Sequence, residues 1–257
     1  LGYGSDLDLV FIHDGDPSEA TDGTKPIAGQ IFFNRLGQRI IHVLATTTVS
    51  GELYEVDMRL RPSGNSGLLV TSLAAFIQYQ HKDAWTWEHQ AIVRARAVAG
   101  DVGLAKKFAT QRNQLLALER DRAQLRVEVK SMRQKMADNL LPAGAEKGKT
   151  PFFHLKQGSG GIVDIEFMVQ YTVLAWAHKF PSLTIYSDNI RILEVMEECQ
   201  LLDSESVQGL MDAYKAYRSI AHRLSLQQKP TEISADIFVH ERSVVRKVWN
   251  QFFDESS

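Results

Sequence analysis

Asp6 and Asp8, two residues apart in the run Gly4-Ser5-Asp6-Leu7-Asp8-Leu9-Val10-Phe11, are the first residues in this chain whose types and spacing suit chemistry. Leu7, Leu9, Val10, Phe11 and Ile12 around them are apolar, with no proline, which predicts a buried strand. Side chains alternate across a strand, so both carboxylates point to one face. Two like charges side by side on a buried element are costly unless a cation or hydrogen-bond donors compensate them. A divalent metal held by carboxylate oxygens is the simplest compensation. A strand edge ending in solvated aspartates would use the same residue types.

A second strand-like segment, Leu53 to Pro62, strengthens the metal reading. Tyr54, Val56, Met58 and Leu60 alternate with Glu55, Asp57, Arg59 and Arg61, so one face is apolar and the other carries mixed charge. A third carboxylate beside two arginines is what phosphate chemistry requires. Metal ions neutralise phosphate oxygens, and guanidinium forks take the remaining charge through paired hydrogen bonds. Asp6, Asp8 and Asp57 on two neighbouring strands therefore predict a two-metal site, with Arg59 nearer to it than Arg61.

Two glycine-containing stretches could add backbone N–H groups. Pro62 to Gly67 could approach phosphate or simply connect two elements. Gln157-Gly158-Ser159-Gly160-Gly161 opens into a helix at Ile162, where an anion would meet the amino-terminal dipole and Lys156 would add a point charge; a flexible helix entry has the same composition. Asp164 and Glu166 suit the start of that helix without any catalytic role. His154 and His222 read as packing residues, and of Trp85 and Trp87 one reads as core and the other as boundary. No His/Cys cluster has zinc-site spacing.

These residues must be positioned by a chain of 257 residues with 44% hydrophobic content, enough for one large core or two modest ones. Its 29 basic and 31 acidic residues leave a net charge of −2 with no polybasic run, which disfavours nucleic acid as a partner. A lone cysteine, Cys199, excludes an internal disulfide framework and fits a reducing, cytoplasmic compartment. No run approaches the ~20 apolar residues of a membrane span. The chain opens on Leu1 rather than Met, almost directly on the aspartate motif, and is read as a fragment of a longer protein. Helices are expected over 26–49, 72–81, 84–99, 104–118, 121–141, 162–179, 188–200, 204–228 and 241–253, with Ser72 capping the second. In the helix from Asp121, Leu125, Val129, Met132, Met136 and Leu140 form the apolar stripe, and the charges between them form a solvated face. Pro142 to Thr150 reads as a flexible loop.

Longer motifs carry a resemblance. G-Y-G-S-D-L-D-L-V-F, L-Y-E-V-D-M-R-L-R-P-S-G-N-S-G, A-W-T-W-E-H-Q-A-I-V-R-A-R, G-G-I-V-D-I-E-F-M-V-Q-Y and S-D-N-I-R-I-L-E resemble the adenylyltransferase half of the glutamine synthetase adenylyltransferase/adenylyl-removing family, within the polymerase-β-like nucleotidyltransferase superfamily. Ser63 and Gly64 after L-R-P look like the carboxyl-terminal, adenylylating half. The resemblance implies an α+β fold: a partial nucleotidyltransferase core over residues 1–100, lacking its first strand and glycine turn, then an all-helical domain over 101–257. It implies AMP transfer from ATP to a tyrosine of glutamine synthetase, with Mg2+ on Asp6, Asp8 and Asp57, and nucleotide contacts from Gly4, Ser5, Arg59, Arg61 and Lys156. It also implies the PII signalling protein as a partner and glutamine as an effector. The related deadenylylating half and a non-catalytic docking module are the alternatives.

Overall fold

The structure, a computed structural model, describes residues 6–16, 18–49, 51, 54–141 and 151–254. Gly4, Ser5 and the stretch 142–150 lie outside the described residues. The chain divides into two compact units: Leu1–Glu88 with Ala97–Leu115, and His89–Arg96 with Leu116–Ser257. The architecture is α+β, with small sheets in the first unit and helices dominating the second.

In the first unit the expected strand after Asp6 is interrupted. It forms β1 (Leu7–Asp8) and β2 (Phe11–His13), and the two pair with different partners. β1 runs parallel to β3 (Val56–Asp57), and β2 runs parallel to β4 (Val70–Ser72). Parallel pairing requires a crossover, and α1 (Gly29–Leu44) provides it. Two polar side chains on α1 grip the β4 backbone. Gln30 Nε2 donates to Val70 O at 2.9 Å, and Asn34 Oδ1 accepts from Val70 N at 3.3 Å. Gly37 is the buried residue of α1, and a Cβ there would sit 2.7 Å from Val70 Cγ2, so glycine permits the close approach. Ile31, Phe32, Leu36 and Ile40, whose spacing marks the helix, remain substantially exposed.

β4 leads directly into α2 (Leu73–Lys82), and Ser72 Oγ accepts from Ala75 N at 3.2 Å, the expected cap. α3 (Thr86–Val93) is shorter than the periodicity predicts. Trp85 falls before its first turn, and both Trp85 and Trp87 are exposed, so neither is core. Phe76 on α2 packs near Phe108 on α4 (Val102–Leu116).

The second unit is built round α6 (Ile162–Trp176). This helix is buried on every side except at Glu166 and Trp176, as an all-round apolar sequence demands. Around it lie α5 (Arg122–Leu140), α7 (Asn189–Glu198), α8 (Ser204–Leu226) and α9 (Val239–Phe253). Asp121, Asp188 and Asp203 cap α5, α7 and α8, each carboxylate accepting from a first-turn N–H. One antiparallel pair, β5 (Phe152–His154) with β6 (Glu232–Ser234), interrupts the helices. Among the described residues no helix is long and apolar enough to cross a membrane.

The stripe on α5 differs from the expected one. Leu125, Val129, Arg133 and Ala137 are buried, at a spacing of four, so a charged residue occupies an inward position. It is held there by an acid on α6, as described below.

Candidate functional site

The β1–β3 ladder sets the geometry. Leu7 N donates to Glu55 O at 2.7 Å and Leu9 N to Asp57 O at 2.9 Å, which puts Leu7 beside Val56 and Asp8 beside Asp57. Paired residues on neighbouring strands share a face, so Asp8 and Asp57 project on one side of the ladder. Asp6 and Asp8 are both exposed.

Arg59 reaches Asp57 by a route that strand alternation does not describe. β3 ends at Asp57, and the chain turns at Arg59. The turn is closed by the Asp57 carboxylate: Oδ1 accepts from Arg59 N at 2.8 Å, and Oδ2 accepts from Arg59 Nε at 2.7 Å and from Nη2. An aspartate accepting from the backbone two residues on is a common way to break a strand into a turn. Alternation from Leu53 to Pro62 therefore stops at its midpoint. Arg61 lies in the loop rather than on a strand face, where Nη1 donates to Met58 O at 2.8 Å and Nη2 to Asn65 O at 3.4 Å.

The side chain of Asp57 is 13% exposed and that of Arg59 is 73% exposed. The Arg59 hydrogen bonds hold the Asp57 carboxyl below its usual range, against a smaller opposing effect of burial. Arg59 is raised in turn, first by Asp57 and also by the charges of Asp8 and Asp6. One guanidinium thus feels all three carboxylates. Three carboxylates, two of them in register on adjacent strands, are oxygen donors of the kind that suit a hard divalent cation such as Mg2+. Among the described residues no three His, Cys, Asp or Glu side chains close on a common cation position, and here the Asp57 carboxylate is engaged by Arg59.

Lys156 is exposed in the second unit, between β5 and the glycine-rich turn. That turn has a packing explanation. Gly160 has φ +83°, and a Cβ on it would lie 2.6 Å from Arg242 O; one on Gly161 would lie 2.7 Å from Leu155 O. The anion at the helix entry is the protein's own: Asp164 Oδ2 accepts from Gly160 N at 2.6 Å. Asp164 Oδ1 accepts from Arg133 Nε at 2.5 Å, and Arg133 Nη2 also donates to Gln157 O at 2.7 Å.

Sequence reasoning missed two further polar groupings. In the first unit, the Glu88 carboxylate is buried, accepting from Tyr79 OH at 2.9 Å and from Trp85 N at 2.9 Å. In the second, Glu166 Oε1 accepts from Arg94 Nη1 at 2.6 Å, Tyr214 OH at 3.3 Å and Asn189 Nδ2 at 3.5 Å, while Gln90 Nε2 donates to Gln170 Oε1 at 2.9 Å. All of these residues except Tyr79 and Tyr214 come from three of the five quoted motifs. Polar residues recurring inside otherwise apolar helical runs were the available signal, since a buried polar side chain needs a partner.

Comparison with known proteins bears on the same two halves. The sequence model of the family described as glutamate-ammonia ligase adenylyltransferase matches residues 1–111, and that of GlnD PII-uridylyltransferase matches residues 130–234. A bifunctional glutamine synthetase adenylyltransferase/adenylyl-removing enzyme from Hahella chejuensis is 52% identical over 255 residues, covering 99% of this chain and 26% of that protein. The enzyme of the same name from Pseudomonas aeruginosa is 55% identical over 258 residues, with coverages of 98% and 26%. That from Acinetobacter baylyi is 51% identical over 257 residues, with coverages of 100% and 28%. This chain spans about a quarter of the length of the curated relatives it matches. Across nearly all its residues, and with identity above one half, this chain is similar to one stretch of the bifunctional glutamine synthetase adenylyltransferase/adenylyl-removing enzymes.

Proposed function

We propose that this chain carries an adenylyltransferase site that moves AMP from ATP to a tyrosine hydroxyl of glutamine synthetase and releases pyrophosphate. The supporting observation is the pairing of Asp8 with Asp57 across β1 and β3, with the Arg59 guanidinium at its edge. Asp6, Asp8 and Asp57 would hold Mg2+, which when bound neutralises triphosphate oxygens and polarises the α-phosphorus.

The chain's own residues do the rest. Arg59, largely exposed, exchanges the Asp57 carboxylate for phosphate oxygens, which its planar fork can grip in pairs. Release from Arg59 leaves a carboxylate oxygen of Asp57 open to accept a proton. The acceptor hydroxyl, with an ordinary pKa of ~10, needs such help at neutral pH. As its oxygen bonds to the α-phosphorus, the bond to the β-phosphate oxygen breaks and the electron pair leaves with pyrophosphate. The phenolic proton passes to Asp57 and then to solvent. Arg61 braces the loop behind Arg59.

The test is product analysis with the full-length protein. ATP and unmodified glutamine synthetase should yield AMP-tyrosine and pyrophosphate in equal amounts, and Asp57→Asn should lower the rate of both by roughly 10²–10³-fold. The relatives' names also carry an adenylyl-removing activity. If the modified synthetase plus phosphate releases ADP through this site while ATP gives nothing, the site serves that reaction instead. Equal ATP–Mg2+ binding by wild type and Asp57→Asn, with no product in either direction, would identify a docking module. The match of residues 130–234 to a PII-uridylyltransferase family supports a link to the PII signalling protein, with glutamine as the expected effector.

A further inference from the structure

Where the chain turns after Asp57, the peptide between Met58 and Arg59 is fixed from both of its edges. Its N–H, on Arg59, donates to Asp57 Oδ1 at 2.8 Å. Its carbonyl, on Met58, accepts from Arg61 Nη1 at 2.8 Å and from Arg61 N at 3.3 Å. A peptide unit is planar, so its N–H and C=O turn together. Whatever holds the Met58 oxygen therefore also aims the Arg59 N–H. Arg61 is itself anchored: Nη2 donates to Asn65 O at 3.4 Å, and its own carbonyl accepts from Gly64 N at 2.8 Å. Between these points Ser63 and Gly64 adopt left-handed backbone, with φ of 60° and 54°. A Cβ on Gly67 would fall 1.9 Å from Pro62 O, so the loop is compact and closes on a glycine.

The two arginines of this loop stand differently. The Arg59 side chain is largely exposed, whereas Arg61 is half-buried and its Nε is shut off from solvent. The two oxygens of Asp57 divide in the same way. Oδ2 accepts from the exposed Arg59 guanidinium, and Oδ1 accepts from the backbone N–H. We infer that Arg61 is a positioning residue for Asp57: by clamping the Met58–Arg59 peptide it keeps Oδ1 in place, so that departure of the Arg59 side chain frees Oδ2 alone. This rests on the nucleotidyl-transfer reading of Asp57, and it gives Arg61 a role other than gripping phosphate. The charge of Arg61 works the opposite way. Arg59 dominates the lowering of the Asp57 carboxyl and the charge of Arg61 adds the least, yet any cation beside a carboxylate repels an incoming metal ion. By charge alone, removing Arg61 would strengthen metal binding; by lost aim, it would weaken it.

The experiment compares Arg61→Ala, Arg61→Lys and Asp57→Asn in the full-length protein. It follows Mn2+ binding by electron paramagnetic resonance without nucleotide, hydrogen exchange at the Arg59 amide without metal, AMP transfer and the melting temperature. Arg61→Ala should weaken Mn2+ binding and lower kcat by about tenfold each, the usual cost of removing an outer-shell partner. It should also speed exchange of the Arg59 amide and leave KM for ATP near wild type. Arg61→Lys keeps the charge but has no planar fork to span Met58 O and Asn65 O, and should show a smaller loss in the same direction. Mn2+ binding that is unchanged or tighter in Arg61→Ala overturns the positioning role. If KM for ATP rises as well, Arg61 is a phosphate contact instead. Should Arg61→Ala melt well below wild type, Arg61→Lys decides: with the charge kept, weaker Mn2+ binding supports positioning and wild-type binding refutes it. Asp57→Asn separates this inference from the reading beneath it. If that variant binds Mn2+ and transfers AMP like wild type, the transfer reading falls and this inference with it. If it loses both while Arg61→Ala keeps both, only the positioning role falls.

Discussion

Two arginine–aspartate pairs in this chain use the same chemistry to opposite ends. In Arg59–Asp57 the partners are 73% and 13% exposed; in Arg133–Asp164 they are 8% and 7% exposed. The first is closed over two residues by a turn, with its guanidinium in water. The second joins α5 to the start of α6, and each partner has a further backbone bond, Arg133 to Gln157 O and Asp164 to Gly160 N. Water screens the first pair and offers substitutes for either partner, so it is weak and exchangeable. The buried pair has no such substitutes, and removing one partner strands a charge in the core. Exposure therefore marks which pair water can open and which one holds helices together.

The contrast is sharpest for stability. Arg133→Ala should destabilise the protein by ~3–5 kcal/mol, because Asp164 is left buried without its cation; urea unfolding measures it. Arg59→Ala should leave the unfolding midpoint essentially where it was. Equal midpoints for the two variants would erase the distinction.

For activity the order reverses. Asp57→Asn should lower kcat for AMP transfer by roughly 10²–10³-fold, comparable to losing a main electrostatic contact to the reacting group. Arg59→Lys keeps the charge but loses the paired fork, and should cost about tenfold. In both, circular dichroism and melting should match wild type. An Arg59→Lys protein with unaltered kinetics would mean that the guanidinium never leaves Asp57 for phosphate.

The smallest expected effect concerns His154, beside the glycine-rich turn. Burial pushes its imidazole below the ordinary 6.5, and Nδ1 accepts from Lys156 N at 3.2 Å and Gln157 N at 3.1 Å. A folded-state pKa below the unfolded one means the unfolded chain binds the proton more readily. The neutral ring's contribution is therefore complete above pH 6.5 and is lost as pH falls from there through the folded value. His154→Asn, which keeps an acceptor oxygen, should flatten this acid-side fall in melting temperature; an unchanged slope refutes the assignment.

Much of the helical framework was legible because its signals are local. Ser72, Asp121, Asp188 and Asp203 cap the helices that follow them. The largely apolar sequence of α6, interrupted by Asp164, Glu166 and Gln170, carried a helix that the structure buries on nearly every side. Strand length was less legible: Tyr54 to Arg61 alternates throughout, yet an aspartate two residues before an arginine competes with the ladder and ends β3 at Asp57. Both tryptophans before Glu88 were assigned by apolarity, and the shorter α3 left them exposed. The candidate site residues Asp6, Asp8, Asp57 and Arg59 were named from type and spacing, whereas the hydrogen bond from Tyr79 to Glu88 was not foreseen, since it spans α2 and α3.

From its residues alone, this chain determined where helices begin, which segment lies deepest, and which acids and bases are available, because capping, periodicity and charge act within a few residues. Only the folded structure decided that Asp8 lies opposite Asp57, that Arg59 folds back while Arg61 braces the loop, and that Arg133 turns inward to Asp164. Those outcomes depend on strand register and on which helix face meets a neighbour. Both are set by partners distant in sequence, whose contribution no local pattern contains.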